Sequence, residues 1–174
     1  MSETFFMTRY HGPLGTYILG SSPRGVVCLK TEDNVPILAA RWAREGIQIQ
    51  ADDGYNLKLV AELDAYFAGD LRQFSVPLDL RGTDFQLQVW KLLQSIPYGE
   101  TRSYGQVAGA LGQPGASRAV GRANGSNPVA IIVPCHRVIG ADGTLVGYGS
   151  GLDRKQALLD LEAKVLRKSP HRYS

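Results

Sequence analysis

Between Thr4 and Glu32 the chain reads TFFMTRYHGPLGTYILGSSPRGVVCLKTE, short apolar runs broken by Gly-Pro, Gly and Ser-Pro-Arg-Gly. Runs this short, closed by turn residues, form hairpins rather than helices. The chain therefore opens on a β-sheet. LKLVAELDAYFAG then spaces Leu57, Val60, Leu63, Ala65, Tyr66 and Phe67 at helical intervals, with Gly69 placed to end the helix. DLRQFSVPLDLRGT reads as a strand or extended linker, where Pro77 limits regular pairing. Beyond it the pattern changes. Thr83 and Asp84 can cap DFQLQVWKLLQSIP, whose Phe85, Val89, Leu92, Leu93 and Ile96 share a face and which Pro97 ends. Ser103 can cap a short helix from Tyr104 to Leu111, GQPG makes a turn, and Ala116 to Ala123 forms a second helix that breaks at NGSNP. Two short helices around a tight turn fit a helix-turn-helix. Strands first and helices second make an α+β chain, divided into residues 1–80 and 81–174.

With 44% hydrophobic and 20% charged residues, the 174-residue chain has an ordinary globular composition. No apolar run approaches the ~18 residues needed to span a bilayer, and MSETFFMTRYHGPLG has no basic start leading into an apolar stretch. A cytoplasmic protein is expected, with no membrane partner. The two cysteines, Cys28 and Cys135, lie far apart and in no CxxC spacing, so neither a disulfide nor zinc is expected. Cys28, in GVVCLK, reads as a small buried hydrophobe on a strand. Charge is divided unevenly. Residues 1–83 carry 8 Lys/Arg against 10 Asp/Glu, and residues 84–174 carry 11 against 6. A basic half beside an acidic one points weakly to an anionic partner such as nucleic acid. Within that basic half, the second short helix surrounds Arg118 and Arg122 with Ala116, Ser117, Ala119, Gly121 and Ala123. Small side chains let a helix approach a duplex closely, where arginines reach phosphates or base edges.

The stretch NPVAIIVPCHRVIG, residues 127–140, sets a thiol, a proton acceptor and a cation in a row behind an apolar run. A free thiol is mostly protonated at neutral pH, and the thiolate is the nucleophile. His136 can take the proton of Cys135 directly or through a water, while Arg137 adds positive charge. Asp153, Asp160 and Glu162 on the C-terminal helix are all candidates to orient the histidine. Neighbours on an extended strand point to opposite faces, so a bend or a bridging water has to join Cys135 to His136.

These residues resemble the O6-alkylguanine-DNA alkyltransferases, also called methylated-DNA–protein-cysteine methyltransferases. The similarity rests on PCHRVIG (134–140), SRAVG (117–121), Asn127-Pro128, FQLQVWKLLQSIPYGETRSYGQVA (85–108), GYGSG (147–151) and RKQALLDLE (154–162). It covers about residues 82–162; the N-terminal region is similar in layout only. The resemblance implies a ribonuclease-H-like N-terminal sheet-plus-helix domain and a mainly helical C-terminal domain with a (winged) helix-turn-helix. It implies irreversible transfer of the alkyl group from O6-alkylguanine in duplex DNA to Cys135, once per chain, with no cofactor. His136 would be the base acting through a water, Glu162 its orienting acid, and Asn127 the bridge between the second helix and the cysteine segment. Tyr104 would donate to the departing guanine and help rotate the 3′ phosphate. Arg118 would enter through the minor groove to fill the space of the extruded base, flanked by Ser117 and Ala119, with Arg122 also on the DNA. Val138, Tyr148, Gly149, Ser150 and Lys155 would form or border the pocket. One departure is the loop YGSG, which puts Gly149 where the family often has serine, so backbone N–H groups are left to bind the guanine. The expected species is a monomer. Rival readings are a non-catalytic sensor of alkylated DNA, which would lack the cysteine, a thiol hydrolase, and a transcription factor answering to alkylation.

Overall fold

Three strands follow one another through two-residue turns: β1 (Thr4–Gly12), β2 (Gly15–Ser22) and β3 (Gly25–Thr31). Gly25 is required twice over. Its φ is +155°, and a Cβ there would sit 2.7 Å from the carbonyl oxygen of Pro77. In the computed structural model, which describes residues 2–146, 148 and 151–167, the antiparallel meander gains a parallel fourth strand beside β1. This is β4 (Gln48–Ala51), reached through α1 (Val35–Arg44), and the sheet order is β3-β2-β1-β4. Neither α1 nor β4 was foreseen from the sequence. Alternation along β1 gives each face its own helix. Phe5 and Met7 pack with Trp42 and Leu38 of α1, the Phe5 and Trp42 rings meeting edge to face at 5.3 Å. On the opposite face Thr8 bonds Asn56, and Tyr10 donates to Asp64 of α2 (Leu57–Phe67) at 2.8 Å.

The expected helix 57–67 is present, and Gly69 follows it at φ +83°. Its buried face keeps Leu63 and Tyr66 of the expected set and differs at the start of the helix. Leu59, Leu63 and Tyr66 are buried, whereas Leu57 is 65% exposed. Either alignment satisfies the spacing, and the sheet selects one. Residues 70–81 form no regular strand. They follow β3 through a single bridge of Val26 with Leu78, and Ser75 and Val76 are held by Glu62 of α2. Arg81 ends the segment with two bonds to Glu3 and two to Asp79.

By compactness the chain divides into Met1–Arg81 with Pro128–Ala130, and Gly82–Asn127 with Ile131–Ser174. Pro128–Ala130 pairs with β3 in the first unit, Val129 bridging Leu29. The second unit contains α3 (Asp84–Leu93), a two-residue strand β5 (Arg102–Ser103), α4 (Tyr104–Ala110) and α5 (Ser117–Gly125). β6 (Val138–Ile139), parallel to β5, and α6 (Leu152–Arg167) complete it. Thr83 and Ser103 each close a capping box, with Gln86 and Gln106 respectively. α3 stops at Leu93, before Pro97. Trp90, not foreseen as core, is buried, and its Nε1 donates to the carbonyl of Ala123 in α5. Among the described residues no helix is long and apolar enough to cross a membrane.

Candidate active site

The apolar run before the cysteine does not continue as a strand. Ile131 has φ +71°, a left-handed conformation that a β-branched residue rarely takes. Pro134, at φ −81° and ψ 64°, then makes a three-residue turn in which the Cys135 N–H donates to Val133 O. Cys135–Arg137 follow as one turn of 3₁₀ helix. These bends remove the difficulty of adjacent side chains on a flat strand. All three side chains are buried, Cys135 at 5% exposure.

His136 Nε2 lies 2.7 Å from Glu162 Oε2, so Glu162 is the acid among the three candidates that meets the histidine. Asp160 is exposed on the same helix and bonds Gln156, and Asp153 is exposed in its first turn. Glu162 also accepts from Arg137 Nε at 2.9 Å and Nη2 at 3.0 Å, and from the Gly99 N–H at 3.0 Å. These donors hold the carboxyl far below the usual carboxylate range despite its burial. Because Glu162 is ionised, the His136 nitrogen facing it carries the proton and Nδ1 keeps its lone pair. Nδ1 is buried with no hydrogen-bond partner among the described residues. Burial pushes the His136 pKa down, so the ring is neutral and able to accept a proton.

Arg137 is therefore not a free cation beside the thiol. Its guanidinium is committed to Glu162 and the Ile96 carbonyl, and lies 5.5 Å from the centre of the Tyr98 ring. The sequence reading missed this pairing, along with Gly99. That glycine has φ +79°, and any Cβ there would fall 2.0 Å from Leu166 Cδ1, so α6 can approach only over a glycine.

Tyr104 and Lys155 meet at one carbonyl. Lys155 is fully buried. Its Nζ donates to Val146 O at 3.0 Å and sits 5.9 Å from the centre of the Tyr104 ring, whose hydroxyl donates to the same carbonyl at 2.9 Å. Burial raises the Tyr104 pKa and lowers that of Lys155, and charge on Cys135 raises both. Val138 is buried at the start of β6, and Tyr148 is partly buried. Gly149 and Ser150 lie outside the described residues. Asn127, 1% exposed, donates to Val133 O at 2.8 Å, joining the end of α5 to the cysteine segment. Arg118 and Arg122 are exposed, one turn apart on α5, with Ser117 and Ala119 partly buried beside them. Among the described residues no three His, Cys, Asp or Glu side chains come together as a metal site would require.

The family model of the 6-O-methylguanine DNA methyltransferase DNA-binding domain matches residues 84–164. The methylated-DNA–protein-cysteine methyltransferase of Methanosarcina barkeri is 49% identical over 156 residues, covering 87% of this chain and 99% of that protein. The same-named protein of Mycobacterium tuberculosis is 67% identical over 111 residues, covering 64% of this chain and 67% of that one. The crystal structure of M. tuberculosis OGT in complex with DNA superposes with a TM-score of 0.80 at 48% identity, over 93% of this chain and 94% of that one. Sequence and fold agree, and the chain belongs to the methylated-DNA–protein-cysteine methyltransferase family.

Proposed function

We propose that this chain repairs DNA directly, moving the alkyl group of O6-alkylguanine in a duplex irreversibly onto Cys135, one event per chain. The observation that carries the reading is a buried cysteine followed on the same turn by a neutral histidine whose far nitrogen is held by an ionised glutamate. His136 Nδ1 takes the thiol proton through a bridging water, and Glu162 stabilises the imidazolium that results. The Cys135 sulfur attacks the alkyl carbon, the S–C bond forms as the C–O6 bond breaks, and guanine departs as an anion that takes up a proton. Tyr104 assists that departure. Its hydroxyl leaves the Val146 carbonyl for the base, while Lys155 keeps that carbonyl bonded. Val138 and Tyr148 line the pocket. The displacement balances without a cofactor, and the stable thioether ends the life of the chain as a reagent.

DNA is the partner. α4 and α5 act as the helix-turn-helix, with β5 and β6 at its flank, and the first unit is a ribonuclease-H-like scaffold. A division close to residues 80/81 is supported by the two compact units, which part between Arg81 and Gly82 with Pro128–Ala130 in the first. The O6 of a stacked guanine is out of reach, so the nucleotide is extruded. Arg118 enters from the minor groove to take its place, Ser117 and Ala119 allow close approach, and Arg122 binds phosphate. The chain acts as a monomer.

The deciding measurement is intact mass after mixing with excess duplex containing O6-methylguanine, beside Cys135→Ser. One added methyl group per chain, absent in the variant and never exceeding one equivalent of repaired DNA, is expected. Bound but unrepaired DNA would indicate a sensor, and repeated turnover of an ester a hydrolase.

A further inference from the structure

Asn124 sits on the buried side of α5, 2% exposed, between Ala123, which accepts from Trp90, and the exposed end of the helix. Its Nδ2 donates to the carbonyl oxygen of Cys135 at 3.3 Å. That carbonyl also accepts the N–H of Val138, closing the 3₁₀ turn. The Oδ1 of Asn124 is buried with no partner among the described residues. A half-satisfied amide in a core costs folding free energy that a leucine or methionine of similar size would not. Packing alone therefore does not account for an asparagine here.

Three residues further on, Asn127 donates to Val133 O. The two amides thus grip carbonyls on either side of Pro134, across a segment whose entry, Ile131, is held in the left-handed region. Such a conformation persists only where surrounding contacts impose it. One grip sets the chain before the proline, and the other sets the nucleophile's own peptide.

We propose that Asn124 is a positioning residue for Cys135, fixing the carbonyl of the nucleophile from the same helix that carries Arg118 and Arg122. The inference rests on Cys135 being the alkyl acceptor. Its role is to hold the sulfur in line with the alkyl carbon once α5 is docked, rather than to bind DNA or stabilise the fold.

The test uses Asn124→Leu and Asn124→Met, which remove both the donor and the orphaned acceptor at similar volume. Thermal midpoint, Kd for unmodified duplex, and the first-order transfer rate at saturating duplex with O6-methylguanine are read for each. The expected result is a midpoint at or above that of the unsubstituted chain, an unchanged Kd, and a transfer rate lowered by about tenfold or more through misplacement of the sulfur. A transfer rate within about twofold of the unsubstituted chain in a variant that keeps its midpoint overturns the proposal. A large fall in midpoint in both variants overturns it equally, since the amide would then be structural. Absence of methyl transfer in the unsubstituted chain is a different failure, that of Cys135 as acceptor.

Discussion

At the Glu162 carboxylate, His136, Arg137 and the Gly99 N–H converge on two oxygens inside the core. Breaking a buried pair from one side leaves the other charge uncompensated, which costs about 3–5 kcal/mol. Glu162→Gln strands Arg137 in this way and also releases His136, so stability and transfer rate are both expected to fall. The acid limb of stability follows from the same residues. His136 stays neutral in the fold, whereas the unfolded chain binds its proton near the ordinary 6.5, so stability drops as pH falls below that value. The depressed Glu162 contributes stability that is complete above its ordinary 4.5 and is lost as pH falls through its lower folded value. Denaturant midpoints measured against pH should show both losses in the unsubstituted chain and only the first in Glu162→Gln. Parallel curves would contradict this account.

α5 divides its two sides between incompatible tasks. Val120, Ala123 and Asn124 are buried, while Arg118 and Arg122 face solvent one turn away from each other. Rigid docking on one side lets the other present its arginines without spending binding energy on ordering the helix. Arg118→Ala should weaken repair of duplex DNA far more than reaction with free O6-alkylguanine base, because only the duplex leaves a gap in its stack to fill. Comparable losses on both substrates would remove the insertion role. The sequence revealed this helix through its small residues and paired arginines. It did not reveal that Asn124 also touches the cysteine segment, since an asparagine near a helix end reads first as a stop signal.

Over the whole chain, residues 84–174 carry 11 Lys/Arg against 6 Asp/Glu, and residues 1–83 carry 8 against 10. Sequence-independent affinity should therefore come from the second half and fall steeply with salt as counterions are released. In a titration of undamaged duplex, Arg122→Ala should reduce the slope of log K against log salt by about 1. Lys58→Ala, in the first unit, should leave it unchanged. Equal slopes for all three proteins would exclude Arg122 as a phosphate contact.

Local chemistry determined a good deal. Gly-Pro and Ser-Pro-Arg-Gly turns set the opening hairpins, Thr83 and Ser103 set two helix starts, and Cys135 beside His136 announced a nucleophile and its base. Each depends on neighbours a few residues apart, and such interactions survive in any surrounding. Tertiary structure decided the rest. The grip of Glu162 on Arg137 and the Gly99 N–H, Leu59 inside and Leu57 outside, and Pro128–Ala130 beside β3 all join residues distant along the chain. Helical periodicity allows several faces, and a charge can meet several partners. Only packing chooses among them, because burial penalises every polar group that the fold leaves unmatched.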